Sequence, residues 1–485
     1  MKLRPVFALF FFIVCAFLLV AHAQEGAGIE WEVLNEEAMT LNDAGRYDRA
    51  FVVARKALEV AEENVGKDHP DVATTLNILA GLYQVQGDYA MAERLYERAL
   101  AIREKALAPD HPDLATSLNN LALLYHLRGD YDQAKRLYKR SLAIIEKVFG
   151  PDSSPVALGL NNLAGLYETQ GEYAAAEPLY RRSLAIIEKM SGPEDPELAR
   201  GLNNLALLYQ KWGDYVQAMA LYKRALAIRK KVLAPDHPDL AMSLHNLATL
   251  YEQQGGYDVA EPLYQRALAI FEKAYGPDHP DVAMSLDNLA LLYFEQGDYA
   301  RAMPLYERAV AIREKVLGSD HPLVAMSLNN LASFYEEQGD EDRARAFYER
   351  SVAIFEKALG PDHPDLATSL NNLALLCGKQ GDYSRAERLY KRALAIRKKV
   401  LGPDHPDLAM SLHNLGGLYY MRGDYAQAES LFERALAMRE KSLGPNHPAV
   451  AASLESLALV YRSTHREGQA DRLEQRAAII RGFER

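Results

Sequence analysis

Cysteine is almost absent from this chain. It has two, Cys15 and Cys377, too few for a structural disulfide framework or for a zinc site built from thiolates. Positive charge is also short: 55 Lys and Arg stand against 66 Asp and Glu, a formal charge of −11. That balance excludes the phosphate backbone of nucleic acid as the main ligand. No Gly-rich phosphate loop, Gly-x-Ser-x-Gly elbow or His-Glu-x-x-His helix occurs, so the motifs that announce nucleotide, acyl-transfer and metalloprotease chemistry are missing. These absences point away from an enzyme, a cofactor or a metal.

One long apolar run is present. Lys2 and Arg4 precede an unbroken stretch from Val6 to Val20, followed by Ala21-His22-Ala23. This is the layout of a secretory signal over residues 1–23, cut after Ala23. The alternative, an uncleaved anchor, needs a longer run to cross a bilayer. Cleavage would remove Lys2, Arg4 and Cys15, leave residues 24–28 as a short lead, and give an exported chain, periplasmic or secreted, with no integral membrane span.

The rest of the chain repeats itself. "PDHPDLATSLNNLALLY" at Pro109 to Tyr125 returns as "PDHPDLATSLNNLALLC" at Pro361 to Cys377, and His-Pro recurs at His69, His111, His237, His279, His321, His363, His405 and His447. Every interval is 42 residues or a multiple of it. Ser153-Ser154-Pro155 and Asp195-Pro196 replace the element in two places without moving the register. Eleven units fit from Ile29 to Arg485, beginning 29–70, 71–112 and 113–154 and ending 407–448 and 449–485. A fixed period of this size means a solenoid whose units bury their faces against neighbours.

Each unit reads as two helices. Leu118, Leu121, Ala122 and Tyr125 mark one apolar stripe; Tyr131, Ala134, Tyr138, Ser141, Leu142 and Ile145 mark the next. Pro112 suits a first helical turn, Gly129-Asp130 a reversal, and Gly150-Pro151 a stop. Small Ala122 and Ala134 permit close helix approach, and the recurring tyrosines fill the space between hairpins. The last unit carries Glu474 where others have tyrosine, and the first carries Glu37 at a position usually held by leucine, as capping units should.

The series Leu118…Leu121-Ala122…Tyr125…Gly129-Asp130-Tyr131…Ala134…Tyr138 resembles the tetratricopeptide consensus. Its 42-residue period, with the "ALAIREKxLGPDHP" type of extension, resembles the kinesin-light-chain subtype. The resemblance covers about 29–485. It implies an all-α, right-handed solenoid of about eleven antiparallel hairpins, whose first helices line a concave groove that holds an extended peptide.

The loop histidines invite a metal-binding reading, but hairpins stand about 10 Å apart, too far for neighbouring imidazoles to share one ion readily. Helix initiation explains them better. The arginines at Arg98, Arg140, Arg182 and onward at the same spacing read as a solvated outer face. Function is expected at one variable position of the first helix: Asn77, Asn119, Asn161, Asn203, His245, Asp287, Asn329, Asn371 and His413. Amides that both donate and accept suit a peptide backbone. Near them in the middle units lie Glu252, Glu295, Glu336 and Glu337, with Glu168 one or two units earlier, a clustering that predicts a basic peptide segment as partner. The reading is therefore a non-catalytic protein-binding scaffold. The alternatives are a regulatory or substrate-delivery subunit of an envelope enzyme carried on another chain, and an array that self-assembles. Partner identity and oligomeric state are left open.

Overall fold

A computed structural model describes residues 26–482 of the chain, so the signal segment assigned to residues 1–23 lies outside the described residues. Among the described residues, twenty-two α-helices follow one another in eleven hairpins, from Ile29–Asp43 with Tyr47–Val65 to Pro448–Ser463 with Glu467–Gly482. The expected all-α solenoid of hairpins is what forms.

Local chemistry sets each boundary. The first helix of most units opens with proline at its first position, and the preceding histidine accepts the free amide of the residue two further on through Nδ1. His321 does so for Leu323 at 3.0 Å and His405 for Asp407 at 3.0 Å. Asp195 replaces the imidazole in unit five and accepts from the amide of Glu197 at 2.7 Å. The helix then ends in a glycine reversal: Gly87 has φ +76°, the left-handed region that costs other residues strain. The aspartate that follows starts the second helix, as when Asp88 Oδ1 accepts from the amide of Met91 at 3.0 Å.

Burial follows the predicted stripes. Ala122, Ala134 and Tyr138 are buried, and Tyr96, Tyr180, Tyr222, Tyr264, Tyr306, Tyr348 and Tyr390 are the largest neutral side chains in the interior. Within a unit the helices pack on each other, and each second helix packs on the next first helix. Successive first helices also touch, forming the inner layer. Second helices are bridged by long ion pairs, such as Arg98 to Glu62 at 2.7 Å, Arg140 to Glu104 at 2.8 Å and Arg392 to Glu356 at 2.5 Å. The arginine series thus ties the outer layer together, each half-exposed pair adding only tenths of a kcal/mol.

Two chemistries occur at the joints between units. Where the second helix carries Arg103, Arg229, Arg313, Arg397 or Arg439, the guanidinium is buried and reaches the hydroxyl of a serine in the next first helix. Elsewhere that place is held by Ala61 in the first unit and by Ile145, Ile187, Phe271 or Phe355 in later ones. Next to Ile145, Ile187 and Phe355 a serine stands four residues earlier, and its hydroxyl donates to a carbonyl of the first helix: Ser141 to Ala115, Ser183 to Ala157 and Ser351 to Ala325, each at 2.8 Å. After the two isoleucines the next unit carries Gly159 or Gly201, where a Cβ would press on Leu142 at 3.1 Å or Leu184 at 2.8 Å.

The solenoid also touches itself across its turns. His321, at the start of unit eight, brings Nε2 to 2.9 Å from the carbonyl oxygen of Val85 in unit two. His363 meets Leu127 at 2.8 Å and His405 meets Thr169 at 3.0 Å in the same way. Val85, Leu127 and Thr169 are the last residues of first helices, so each imidazole satisfies a carbonyl that its own helix leaves free. Leu401 joins the apolar cluster of units two to four and is 6% exposed, whereas its counterpart Phe149, on the open edge of the first turn, is 42% exposed.

Candidate functional site

The inner wall is built from the first helices, and the predicted amide row runs along it, but not as an open surface. Asn77, Asn161, Asn203, Asn329 and Asn371 are buried, while Asn119 and His413 are partly so. Their amide nitrogens donate to serine hydroxyls, mostly in the following unit: Asn77 to Ser117 at 3.2 Å, Asn203 to Ser243 at 3.3 Å, Asn371 to Ser411 at 3.3 Å. Asn329 reaches both Ser351 at 2.8 Å and Ser369 at 2.6 Å, and Asn161 reaches Ser183 at 2.8 Å. The expectation that the fold leaves this position unconstrained is corrected: these amides seal joints between units.

The substitutions in the row follow the same logic. Asp287 pairs with the Arg313 guanidinium and accepts from Ser327 at 2.8 Å, and burial raises its carboxyl pKa against the pull of that cation. His245 is buried edge-on against Tyr264, with Nε2 2.7 Å from the Asn288 amide, and burial pulls its pKa down to about 4. His413 is lowered to about 4 for the same reason, with Arg439 adding repulsion.

The acidic cluster is also less open than its sequence implies. Glu168 is buried, accepts from the Tyr180 hydroxyl at 2.9 Å and is ion-paired with Lys211 of the next unit. Glu336 accepts from Tyr348 at 3.0 Å and pairs with Lys379 at 2.7 Å. Glu252 accepts from Tyr264 at 2.7 Å. Only Glu295 and Glu337 of this set are exposed. The acidic cluster expected near the amide row therefore shrinks, because lysines from the next unit neutralise Glu168 in unit four and Glu336 in unit eight.

A different feature of the wall emerges four residues after the amide row. Met39, Gly81, Leu123, Gly165, Leu207, Thr249, Leu291, Ser333, Leu375, Gly417 and Leu459 occupy equivalent places, so a bulky apolar side chain alternates with a small one in every successive unit. Ridges and notches result. At the C-terminal end the apolar surface opens to solvent: Leu375 is 42%, Met421 46% and Leu459 51% exposed, and the space over Gly417 between them is empty for 4 Å. The alternation has a period of two units, so no one residue type recurs at this place from unit to unit.

Cys377 is buried and its thiol pKa is raised by desolvation, the setting of an unreactive thiol. Among the described residues no three His, Cys, Asp or Glu side chains converge as a metal ion would require. Among them, too, no helix is long and apolar enough to cross a membrane.

Comparison with known proteins agrees with this architecture. The family model for the tetratricopeptide repeat matches nine windows, 32–105, 71–147, 155–231, 197–273, 239–315, 304–357, 323–399, 386–441 and 414–480. The chain belongs to the tetratricopeptide repeat family. Among solved structures, this tetratricopeptide array is similar to BtubC (BKLC) from P. vanneervenii, at 26% identity over 51% of this chain and 94% of that one, with a TM-score of 0.37. It is also similar to a kinesin light chain of nearly identical repeats from Podospora anserina, at 33% identity over 42% of this chain and 98% of that one, TM-score 0.36. A Rap protein complexed with Competence and Sporulation Factor aligns over 76% of this chain and 98% of its own at 17% identity, TM-score 0.51, a likeness of fold. No curated protein matches.

Proposed function

We propose that this tetratricopeptide array is a non-catalytic protein-interaction scaffold that holds an extended segment of a partner along its inner wall. The observation that carries this reading is the alternation of ridge and notch ending in the exposed Leu375, Met421 and Leu459. Exposed large apolar side chains gathered on one inner surface mark a contact site, whereas single ones elsewhere need no explanation. Two units advance about 20 Å, the reach of about six residues of extended chain, so the partner carries bulky apolar residues at roughly that spacing. The exposed Glu295 and Glu337 favour a Lys or Arg beside the middle notches. The scaffold is exported, with Gln24 as its first residue, on the strength of the leader pattern.

The test is photocrosslinking in the producing cell, with a benzophenone amino acid at Leu375 and, as control, at Val216 on the outer helix. A partner band from Leu375 alone supports the reading. Equal capture from both positions, or none, contradicts it. N-terminal sequencing of the same protein checks export; a chain that still begins at Met1 overturns it.

A further inference from the structure

Eight loop histidines cap first helices, but five of them do more. His279, His321, His363, His405 and His447 begin the units of the second superhelical turn, and each presses on the glycine reversal of a unit in the first. A Cβ on Gly45 would lie 3.1 Å from His279, on Gly87 3.1 Å from His321, on Gly171 2.9 Å from His405 and on Gly213 2.5 Å from His447, while one on Gly129 would meet Pro364 at 3.1 Å. His69, His111 and His237 have no turn ahead of them and are not fully buried. The units that lack histidine, with Ser153 and Asp195, also lie in that first turn, where the imidazole would touch nothing.

We propose that these imidazoles are an acid-released latch: neutral, they hold turn upon turn and close the inner wall to lateral access, and protonated, they let the turns part.

The geometry demands the neutral ring. Nδ1 of His321 accepts from the Leu323 amide at 3.0 Å while Nε2 donates to Val85 at 2.9 Å, and His363 and His405 repeat the arrangement. Only a neutral imidazole has one acceptor and one donor nitrogen. A second proton, on Nδ1, would face an amide N–H and destroy the cap. Burial accordingly lowers the pKa of His321 to about 4, with Arg313 adding to the effect and the Val85 carbonyl opposing it.

The surrounding charges set which sites respond. Beside His321, Asp320 is occupied by Lys357 at 2.5 Å, and the reversal it touches carries Asp88, which caps its own helix. Beside His363, Asp362 pairs with Lys399, the Asp365 carboxylate lies 3.8 Å from Nδ1, and the opposing reversal carries Arg128 and Asp130. Beside His405, Asp404 pairs with Lys441 at 2.6 Å, Asp407 follows in its own helix, and Glu172 lies across the contact. His279 differs. It stacks on Tyr275 with ring centroids 4.2 Å apart, near Asp43, and is lowered to about 4, but its neighbour Asp281 is pushed up to about 6 by burial.

The sign follows from linkage. An imidazole at about 4 when latched and at its ordinary 6.5 when released favours release about 30-fold at pH 5 relative to pH 7.5. Asp281 titrates in the opposite sense, taking up its proton more readily when latched, and returns about tenfold of this at the first site. Release therefore begins at His321 rather than at His279, and the turns part as one motion because successive contacts share the same interface.

The test uses the full mature chain in small-angle scattering at pH 7.5 and pH 5, with helicity followed by circular dichroism. The parent should expand at pH 5 with unchanged helicity. The triple variant H321N/H363N/H405N keeps a capping acceptor, as Asp195 does, but is too short to reach the earlier turn; it should be expanded at both pH values. H69N/H111N/H237N should behave as the parent. A parent of equal size at both pH values, expansion accompanied by loss of helix, a compact latch variant, or a control triple that shifts like it would each overturn the proposal.

Discussion

Nε2 of His363 lies 2.8 Å from the carbonyl oxygen of Leu127, although 236 residues separate them. One residue begins a helix and the other ends one. The positive end of a helix dipole is thereby set against the negative end of another, and an orphan carbonyl gains a donor.

Gly87 and Gly339 isolate this contact. Both have φ +76°, but a Cβ on Gly87 meets His321 and Pro322 at 3.1 Å, and one on Gly339 meets nothing within 4 Å. Both alanine variants should lose about 1 kcal/mol to backbone strain. Gly87→Ala should lose about 1 kcal/mol more from overpacking. Urea unfolding measures both, and equal losses would mean that the turns do not touch in solution.

Asn329 separates a joint from a ligand surface. Its amide bridges Ser351 and Ser369. Asn329→Ala should lower stability by about 1–2 kcal/mol, the cost of stranding buried hydroxyls. A variant as stable as the parent would return this asparagine to the groove.

Arg397 tests the two joint chemistries. Its guanidinium, wholly buried, donates to the Asp407 carbonyl at 3.0 Å, to Ser411 Oγ at 2.7 Å and to Thr368 Oγ1 at 3.0 Å. Arg397→Ile alone should cost about 2–4 kcal/mol by leaving those acceptors bare. Adding Ala393→Ser and Ser411→Gly rebuilds the joint seen at Ser141, Ile145 and Gly159 and should recover about half. No recovery in thermal unfolding would show that the two chemistries are not interchangeable modules.

His245 makes unit six acid-sensitive. Its pKa falls from 6.5 to about 4 on folding, so the unfolded chain binds the proton first. Stability is unaffected above pH 6.5, declines as pH falls, and is lower by about 3 kcal/mol below pH 4. His245→Asn, which places there the residue that most other units carry, should flatten that part of the profile. An unchanged slope would place the acid sensitivity elsewhere.

Much of the fold was legible because it is local. The 42-residue period, the Pro and Gly-Asp boundaries and the alanine and tyrosine stripes each report on a hairpin and its neighbour. The histidines were read correctly as caps, but their second bond depends on how tightly the units wind, and no single unit encodes that. The amide row misled for a different reason: its partners are serines forty residues away, visible only when both rows are read together. Lys211 and Lys379 likewise neutralise Glu168 and Glu336 from the next unit, so a charge count taken within each unit overstates the acidity. The Leu375–Gly417–Leu459 pattern was in plain sequence but at twice the sought interval.

The imidazole bonds change what kind of object the array is. A string of hairpins that meets only its neighbours melts from its ends and tolerates an extra bead anywhere. Here each bead of the second coil also leans on one laid down six beads before, so the string becomes a woven cylinder with a warp and a weft. A hairpin added or removed midway would leave every adjacent pair intact and still shift which residues meet across the coil from that point onward, so the number of hairpins is itself part of the structure.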